Sequence, residues 1–328
     1  MKPIFLSLLL SVCLFGCDRS QRTVPPAHPP LRVATYYWPG TYWVDIANDR
    51  GWFKEAGLDV TVVDTNADYS ASFKDLVEGR IDVNSLTLFD VMLLNAQGGD
   101  LVVIGTADQS SGADGIVGAP GIESVTALRG KRIGVGTGTY GEYLLAVVLA
   151  QEGIAPAEVT LVEIAAERAA EELAAGTVDA VITWEPVVAE AVEKAKGKKL
   201  WDTSSLPGVC PAALATRRQL VRERADDLQK LMQVWKRGTE FIAQKPDEAF
   251  AIVARVNKKT PTEVRELVAL DRILDVRDNR TAFSYSAGFD SLHGAARVMN
   301  NFLLKQKVIS EPLESTELLD DRFLKALK

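Results

Sequence analysis

Cysteine and histidine are both scarce in this chain of 328 residues, which contains three cysteines and two histidines. Cys13 and Cys17 lie in and just after an N-terminal apolar stretch, so only Cys210 remains for the folded body and no intrachain disulfide is available. Cys210 has no histidine or basic cluster near it in sequence, and we expect it to be buried rather than nucleophilic. His28 and His293 are too isolated to predict a zinc site.

The sequence also lacks long basic runs and the motifs of nucleophilic catalysis. With 37 Lys and Arg against 44 Asp and Glu, the net charge is −7 and the pI is about 5.1, which argues against a nucleic-acid partner. No G-x-S-x-G motif, phosphate-binding loop with its lysine, or cluster of metal ligands is present. We therefore expect no catalytic residue, no metal and no cofactor.

The N-terminus carries the features of an export signal. Ile4–Phe15 is apolar but too short to remain as a membrane anchor, so we expect residues 1–16 to be a signal peptide. The run Leu14–Cys17 resembles the lipobox of bacterial lipoproteins, which implies that Cys17 is lipidated and holds the protein at a membrane. An ordinary signal peptide followed by an incidental cysteine is the alternative. The polar, proline-rich residues 17–30 predict an exposed tether.

Strand-like and helix-like segments alternate from Leu31 to Lys196. The predicted strands lie at 31–36, 58–64, 81–85, 101–106, 132–135, 160–164 and 180–184. This alternation implies parallel pairing and an α/β fold. After Pro207 the pattern becomes helical, with a return strand at Cys210–Thr216 and then one long amphipathic helix at Gln219–Gln244.

An internal repeat indicates two similar lobes. Phe73–Val83 (FKDLVEGRIDV) and Ala170–Ala180 (AEELAAGTVDA) each read as a helix ended by glycine, then a strand that begins near an aspartate. Chance is the alternative, but both copies occupy the same place in the strand–helix series. We therefore predict a hinged, two-lobed monomer with a helical C-terminal tail: lobe I at 31–118 plus 212–328, and lobe II at 119–211. Small ligands usually bind in clefts between domains.

The turn between a predicted strand and helix at Lys131–Leu145 is the first candidate binding site. Unpaired amides at a helix start form a site for a negative group. The candidates within GTGTYG are Thr137, Gly138, Thr139 and Tyr140. The same run fits G-x-G-x-x-G, and Glu163 follows roughly where an acid that binds a ribose belongs. A dinucleotide site is therefore the rival interpretation.

Aromatic residues concentrate after the first predicted strand, with five in the eight residues Tyr36–Trp43. This is the carboxyl end of a strand, where open α/β sheets bind ligands. A flat or cationic ligand can stack on such rings, and Trp38 and Tyr42 are the candidates. The alternative is that these rings only pack a helix onto the sheet.

Two further strand ends carry candidate ligand contacts. Thr87 follows the third strand, where a helix cap is the alternative role, and Trp184 and Glu185 end a strand of the second lobe. The loops after the strands contain few Lys or Arg and several acids, namely Asp90, Asp114, Glu142 and Glu185. An aromatic wall with carboxylates suits a cationic or hydrogen-bond-donating nitrogen, and a zwitterion would also use the helix start.

An ordered set of short motifs resembles a known family. The motifs are Ala56–Val60, Glu78–Val83, Leu128–Val135, Gly176–Ala180 and Trp184–Pro186. They are similar to the nitrate/sulfonate/taurine group of ABC-transporter solute-binding proteins, to which thiamine-pyrimidine-precursor binders are related. The resemblance implies a two-lobed periplasmic-binding-protein fold of type II and delivery of a small solute to an ABC permease. It also implies that the turn after Gly136 and the strand end at Trp184 line the cleft.

An envelope-anchored NAD-dependent oxidoreductase using the GTGTYG turn is the alternative function. Nicotinamide cofactors are scarce outside the cytoplasm, where the lipoprotein signal would place this chain, and no catalytic histidine can be placed near the cleft. In lipoproteins of two-membrane bacteria, an acid such as Asp18 after the cysteine implies retention at the inner membrane, with the body in the periplasm.

Overall fold

Two mixed β-sheets organise the chain in the computed structural model, which describes residues 28–327. The larger sheet has the strand order β2-β1-β3-β10-β4-β11, and the smaller has the order β9-β5-β8-β6-β7. The strands are β1 (Leu31–Thr35), β2 (Val60–Asp64), β3 (Val83–Thr87), β4 (Leu101–Ser110), β5 (Asp114–Gly118), β6 (Arg132–Val135), β7 (Thr160–Glu163), β8 (Ala180–Trp184), β9 (Lys198–Asp202), β10 (Pro211–Arg217) and β11 (Asp271–Ile273). The two-lobed α/β fold expected from the sequence is confirmed.

Helices cover both sheets and form most of the C-terminal third. They are α1 (Tyr42–Asp49), α2 (Trp52–Glu55), α3 (Ala71–Val77), α4 (Leu88–Ala96), α5 (Tyr140–Gln151), α6 (Ala169–Ala174), α7 (Val187–Ala195), α8 (Arg218–Glu223), α9 (Ala225–Gln244), α10 (Pro246–Asn257), α11 (Pro261–Val268), α12 (Val276–Ala282), α13 (Leu292–Lys305), α14 (Ser315–Leu318) and α15 (Arg322–Lys325). Helix α9 packs against α1 so closely that a Cβ added at Gly238 would lie 2.6 Å from the Cβ of Trp43. The helical tail is thereby fixed to the larger sheet.

The internal repeat has a counterpart in three dimensions. In each lobe a first strand lies between two parallel neighbours, β1 between β2 and β3, and β6 between β7 and β8. The Asp82 carboxylate accepts hydrogen bonds from the backbone N–H and guanidinium of Arg32. Asp179 accepts the same set from Arg132. The two aspartates of the repeated motif therefore have the same structural role, locking the start of the first strand to the start of the third.

Two central strands add antiparallel pairs that the sequence analysis did not predict. Strand β10 runs antiparallel between β3 and β4, and β5 runs antiparallel between β8 and β9. Each of them is the first strand after the chain crosses from one sheet to the other. Strand β5 (DGIVG) also begins before residue 119, so the chain enters the smaller sheet within the range assigned to lobe I. The domain boundaries remain a prediction.

One helix boundary also differs from the prediction. The predicted helix at Gln219–Gln244 is two helices, because Arg224 leaves the helical conformation with φ −133° and ψ 36°. Its guanidinium binds Asp227 in the first turn of α9, which stabilises the new start. Strands β5, β9 and β11 were not predicted.

The leader predictions lie outside the described residues: these are the signal peptide at 1–16, lipidation of Cys17 and most of the tether at 17–30. Within residues 28–327, none of the helices has the combined length and apolar character needed to cross a bilayer. Cys210 is buried, as expected.

Candidate functional site

A cavity of about 510 Å³ lies between the lobes, at the carboxyl ends of parallel strands in both sheets. Residues that follow β1 and β3 line it from the larger sheet, and residues that follow β6, β7 and β8 line it from the smaller one. Its volume is in the range of roughly 300–1,000 Å³ that small-molecule sites occupy. The cavity is therefore large enough for a small organic solute, and both lobes would contact it.

Aromatic side chains form much of the cavity wall. They are Tyr36, Tyr37, Trp38, Tyr69, Phe73, Tyr140 and Trp184. Tyr36 and Tyr69 lie with ring centroids 4.5 Å apart, and Phe73 meets Tyr69 edge-on at 4.9 Å. These rings hold one another in place, so the wall is preorganised for a ligand that stacks or carries a positive charge.

The polar part of the cavity is acidic. Six carboxylic acids line it, namely Asp90, Asp108, Asp114, Glu163, Glu167 and Glu185. Within residues 28–327, neither Lys, Arg nor His is among the lining side chains. The charge of the cavity thus favours cations strongly over anions.

Trp38 is positioned by a buried acid. Its indole Nε1 donates a hydrogen bond to Oδ2 of Asp108 over 2.6 Å. Asp108 is 1% exposed and has Asp271 beside it. Burial raises the pKa of both acids, and the neighbouring Asp108 raises that of Asp271 further, well above its usual range. Asp108 is the acceptor that orients Trp38, and both oxygens of the neighbouring Asp271 lack a hydrogen-bond partner among the described residues.

Asp114 and Asp90 place two further acids within the cavity. Burial raises the pKa of Asp114 to about 7, with a hydrogen bond from Ser110 acting against it and the charges of Asp108 and Glu185 adding to it. Burial raises the pKa of Asp90 to about 6, although Thr87 lowers it through two hydrogen bonds. A cation close to either carboxyl group would lower its pKa and favour the ionised form.

The protein's own carboxylates occupy two amides of the GTGTYG turn, where the sequence predicts a site for a negative group. Glu163 accepts hydrogen bonds from the N–H and the hydroxyl of Thr137, the former over 2.8 Å. Glu142, in the first turn of α5, reaches back to accept from the N–H of Gly138 over 2.6 Å. A dinucleotide pyrophosphate would have to displace both acids, and Glu163 is already engaged within the turn instead of being free for a ribose.

Comparison with known proteins agrees with this architecture. The profile of the NMT1/THI5-like family matches residues 40–249. The chain belongs to the NMT1/THI5-like family. A putative aliphatic sulfonates-binding protein of Bacillus subtilis (strain 168) is 24% identical over 290 residues, covering 85% of this chain and 83% of the relative.

Two solved structures share the fold. The periplasmic aliphatic sulphonate binding protein SsuA from Escherichia coli superimposes with a TM-score of 0.71 at 16% identity, covering 90% of this chain and 93% of that one. The desulfurization enzyme DSZB superimposes with a TM-score of 0.61 at 17% identity, covering 91% and 98%. At these identities the structural likeness establishes the fold, which supports binding proteins and at least one enzyme.

Most of the predicted site residues of this family member come together around the cavity. Those that line it are Trp38, Thr87, Thr139, Tyr140, Trp184 and Glu185. Thr87 has both roles considered for it, because its Oγ1 also accepts from the N–H of Asp90 and caps α4. Thr139 caps α5 in the same way, accepting from Gly141.

Three predicted residues do not line the cavity. Tyr42 is the first residue of α1, is fully buried and packs against Tyr37, with ring centroids 5.9 Å apart. Its ring holds the helix to the sheet, which was the alternative role. Thr137 and Gly138 face the two glutamates that occupy the turn.

The sequence reasoning did not select Tyr69, Phe73 and Asp108. Tyr69 and Phe73 come after β2, which is also a strand carboxyl end, so the rule that selected Trp38 would have found them. Asp108 gave no such signal, because it lies inside β4 and its role depends on contact with Trp38, 70 residues away in sequence.

One side of the cleft is closed by contacts between the lobes. Tyr143 of α5 stacks on Phe89 of α4 at 5.2 Å and meets Phe302 of α13 edge-on at 5.8 Å. We call these three rings the aromatic bridge. Beside it, Gln306 donates a hydrogen bond to Glu142 over 2.7 Å. Relative movement of the lobes that kept these contacts would open the cleft on the opposite side.

Proposed function

We propose that this protein is the substrate-binding component of an ABC importer. It captures a small polar solute that contains nitrogen or sulfur, with cationic or zwitterionic solutes favoured, and delivers it to a membrane permease. The observation that carries the proposal is the cavity itself: it is built by both lobes of a periplasmic-binding-protein fold and is lined by rings and acids. The sulfonate-binding relative supports the same general role.

Binding would act through closure of the lobes. A solute that contacts both Trp38 and Trp184 stabilises the closed arrangement by its differential affinity for that state. Because the aromatic bridge holds the two lobes together on one side of the cleft, closure brings them together on the opposite side. The closed form is the one the permease would recognise.

The place of action follows from the leader. Lipidation of Cys17 would anchor a monomer at the periplasmic face of the inner membrane, with the tether at 17–30 letting the lobes reach the permease. Labelling with a radioactive or clickable fatty acid, compared between the wild type and Cys17→Ser, tests this anchoring.

Solute extraction and tryptophan fluorescence test the binding role. Full-length protein purified without added solute is denatured, and the small molecules released are identified by mass spectrometry. The recovered compound, added back to solute-free protein, should change the emission of Trp38 and Trp184, and Trp38→Phe should reduce this response. Trp52→Phe is the matched control, because Trp52 packs on Phe241 away from the cavity. A response to NADH with none to any extracted solute would refute the proposal.

A further inference from the structure

We propose that the solute is an organic amine with one positive charge and no acidic group, and that Asp114 is the carboxylate that pairs with its nitrogen. This inference rests on the proposed binding function and narrows its solute class. It also departs from the sulfonates named for the relatives, since a sulfonate is an anion.

The cavity offers no counter-charge to an anionic group. Within the described part of the chain its lining contains acids from both lobes and no basic side chain. An anion brought into this space would lose its hydration without gaining an opposite charge, which is strongly unfavourable in a buried site. A cation gains attraction from the acids and from the faces of the aromatic wall.

One place for an anionic group is the start of α5, and two of its amides are already used. The amides of Thr137 and Gly138 already bind Glu163 and Glu142. The carboxylate of a zwitterionic solute would therefore compete for these amides with two carboxylates that belong to the same protein chain. A zwitterion was considered because its negative group could bind at the helix start, and these contacts weigh against that binding.

Among the acids, Asp114 is the best placed to meet the solute. It lies on β5 deep in the cavity and is 5% exposed. Asp90 accepts from Thr87, and Asp108 accepts from Trp38 through one oxygen while the other lies buried without a partner. At Asp114 the backbone N–H donates to the hydroxyl of Ser110 over 3.2 Å, and no other residue bonds to its carboxylate among the described residues.

An unpartnered hydroxyl in the same cavity supports the assignment independently. Tyr140 is 7% exposed and lines the cavity, yet its hydroxyl has no hydrogen-bond partner of normal geometry in the described residues. The neighbouring thiol of Cys210 is at most a weak partner. Because Tyr140 lines the cavity, a bound ligand or water could supply the partner that its buried hydroxyl lacks. An ammonium group has several N–H donors, so it can serve Tyr140 and Asp114 together.

The test compares three probes that share one phenyl ring and differ in charge. Phenethylamine is a cation, phenylalanine a zwitterion and 3-phenylpropionate an anion at about pH 8. Calorimetric titration of the full-length protein should give an affinity for phenethylamine at least about tenfold higher than for either other probe, since a lost charge contact of about 1.4 kcal/mol is tenfold. Equal or tighter binding of phenylalanine or 3-phenylpropionate, or no binding of phenethylamine, overturns the inference.

A matched pair of variants tests the residue. Asp114→Asn should weaken phenethylamine at least about tenfold, whereas Asp59→Asn, at an exposed position outside the cavity, should leave it unchanged. The unliganded melting temperature of Asp114→Asn must be no lower than that of the wild type, so that misfolding does not mimic the loss. An unchanged affinity in Asp114→Asn overturns the assignment.

Failure of this inference is separable from failure of the transport role. An anionic or zwitterionic compound recovered from the purified protein would refute the amine and leave the binding protein intact. An amine that binds without any contraction of the protein in small-angle scattering would instead refute closure and delivery, and the charge preference would stand.

Discussion

Asp114 should lower the stability of the empty protein, and the effect should grow with pH. Its carboxyl group is nearly fully buried, and burial raises its pKa to about 7 from an ordinary value of 3.8. A raised pKa means that the folded protein binds the proton more tightly than the unfolded chain does. The contribution of Asp114 to the free energy of unfolding is therefore most favourable at low pH. Stability falls as pH rises from about 4 to about 7 and then levels off.

The size of the effect follows from the shift. Each pKa unit corresponds to about 1.36 kcal/mol, so the burial of this acid costs about 1.5 kcal/mol at pH 5 and about 4 kcal/mol at pH 8, relative to the fully protonated state. The amide side chain introduced by Asp114→Asn has nearly the same shape and no charge to bury. The substitution should thus raise the free energy of unfolding, by a larger amount at the higher pH.

Urea unfolding of the solute-free wild type and Asp114→Asn at both pH values measures this difference directly. A variant that is stabilised equally at pH 5 and pH 8 would refute the reasoning, because a purely steric gain does not depend on pH. A variant that is less stable at pH 8 would show that Asp114 is paired with a cation in the empty protein. Asp59→Asn, in an exposed loop, should show no such pH-dependent gain.

Three other changes have defined expectations. Asp82→Ala should lower the unfolding free energy by about 3 kcal/mol, because it leaves two partly buried guanidinium groups without their carboxylate. The equivalent change at the more exposed Asp179 should cost about 1 kcal/mol. Urea unfolding distinguishes the two variants. Burial acts to raise the pKa of Asp82, but its arginine partners outweigh this and lower it, so its contribution should be lost as pH falls below about 4, as acid titration would show. Phe89→Ala should cost about 3–5 kcal/mol and, by opening the aromatic bridge, change the scattering radius of the empty protein. Thr260→Ala removes the capping box of α11 and should lower the unfolding free energy by about 1 kcal/mol in the same urea assay.

The sequence predicted those parts of the site that depend on local position. Trp38, Thr87 and Trp184 each lie at or just after the end of a strand, and the carboxyl ends of parallel strands meet at one edge of a sheet, so their approach to one cavity could be anticipated. The fold class was likewise predicted from local pattern, namely the alternation of strands and helices. Strand β5 and the antiparallel direction of β10 were not predicted, because strand direction at a crossing depends on the path of the whole chain.

The occupancy of the GTGTYG turn could not be read from the sequence. Glu142 follows Gly138 by one helical turn, and Glu163 ends the neighbouring strand β7. Either acid could equally have faced solvent, and only the side-chain directions in the folded protein bring both onto the amides of the turn. Local pattern thus located the turn but not the two carboxylates that bind its amides.

The contacts that hold each lobe together lie at the opposite end of the strands from the cavity. The repeated Arg–Asp contacts, Arg32 with Asp82 and Arg132 with Asp179, lie at the amino ends of the strands, remote from the cavity. They hold the same three-strand unit in each lobe whatever the loops at the other end contain. In this chain the amino-end contacts stabilise the frame, and the carboxyl-end loops determine the charge of the cavity. For this chain those loops supply acids and rings, so the charge of its solute should be inferred from the cavity and not from the names of its relatives.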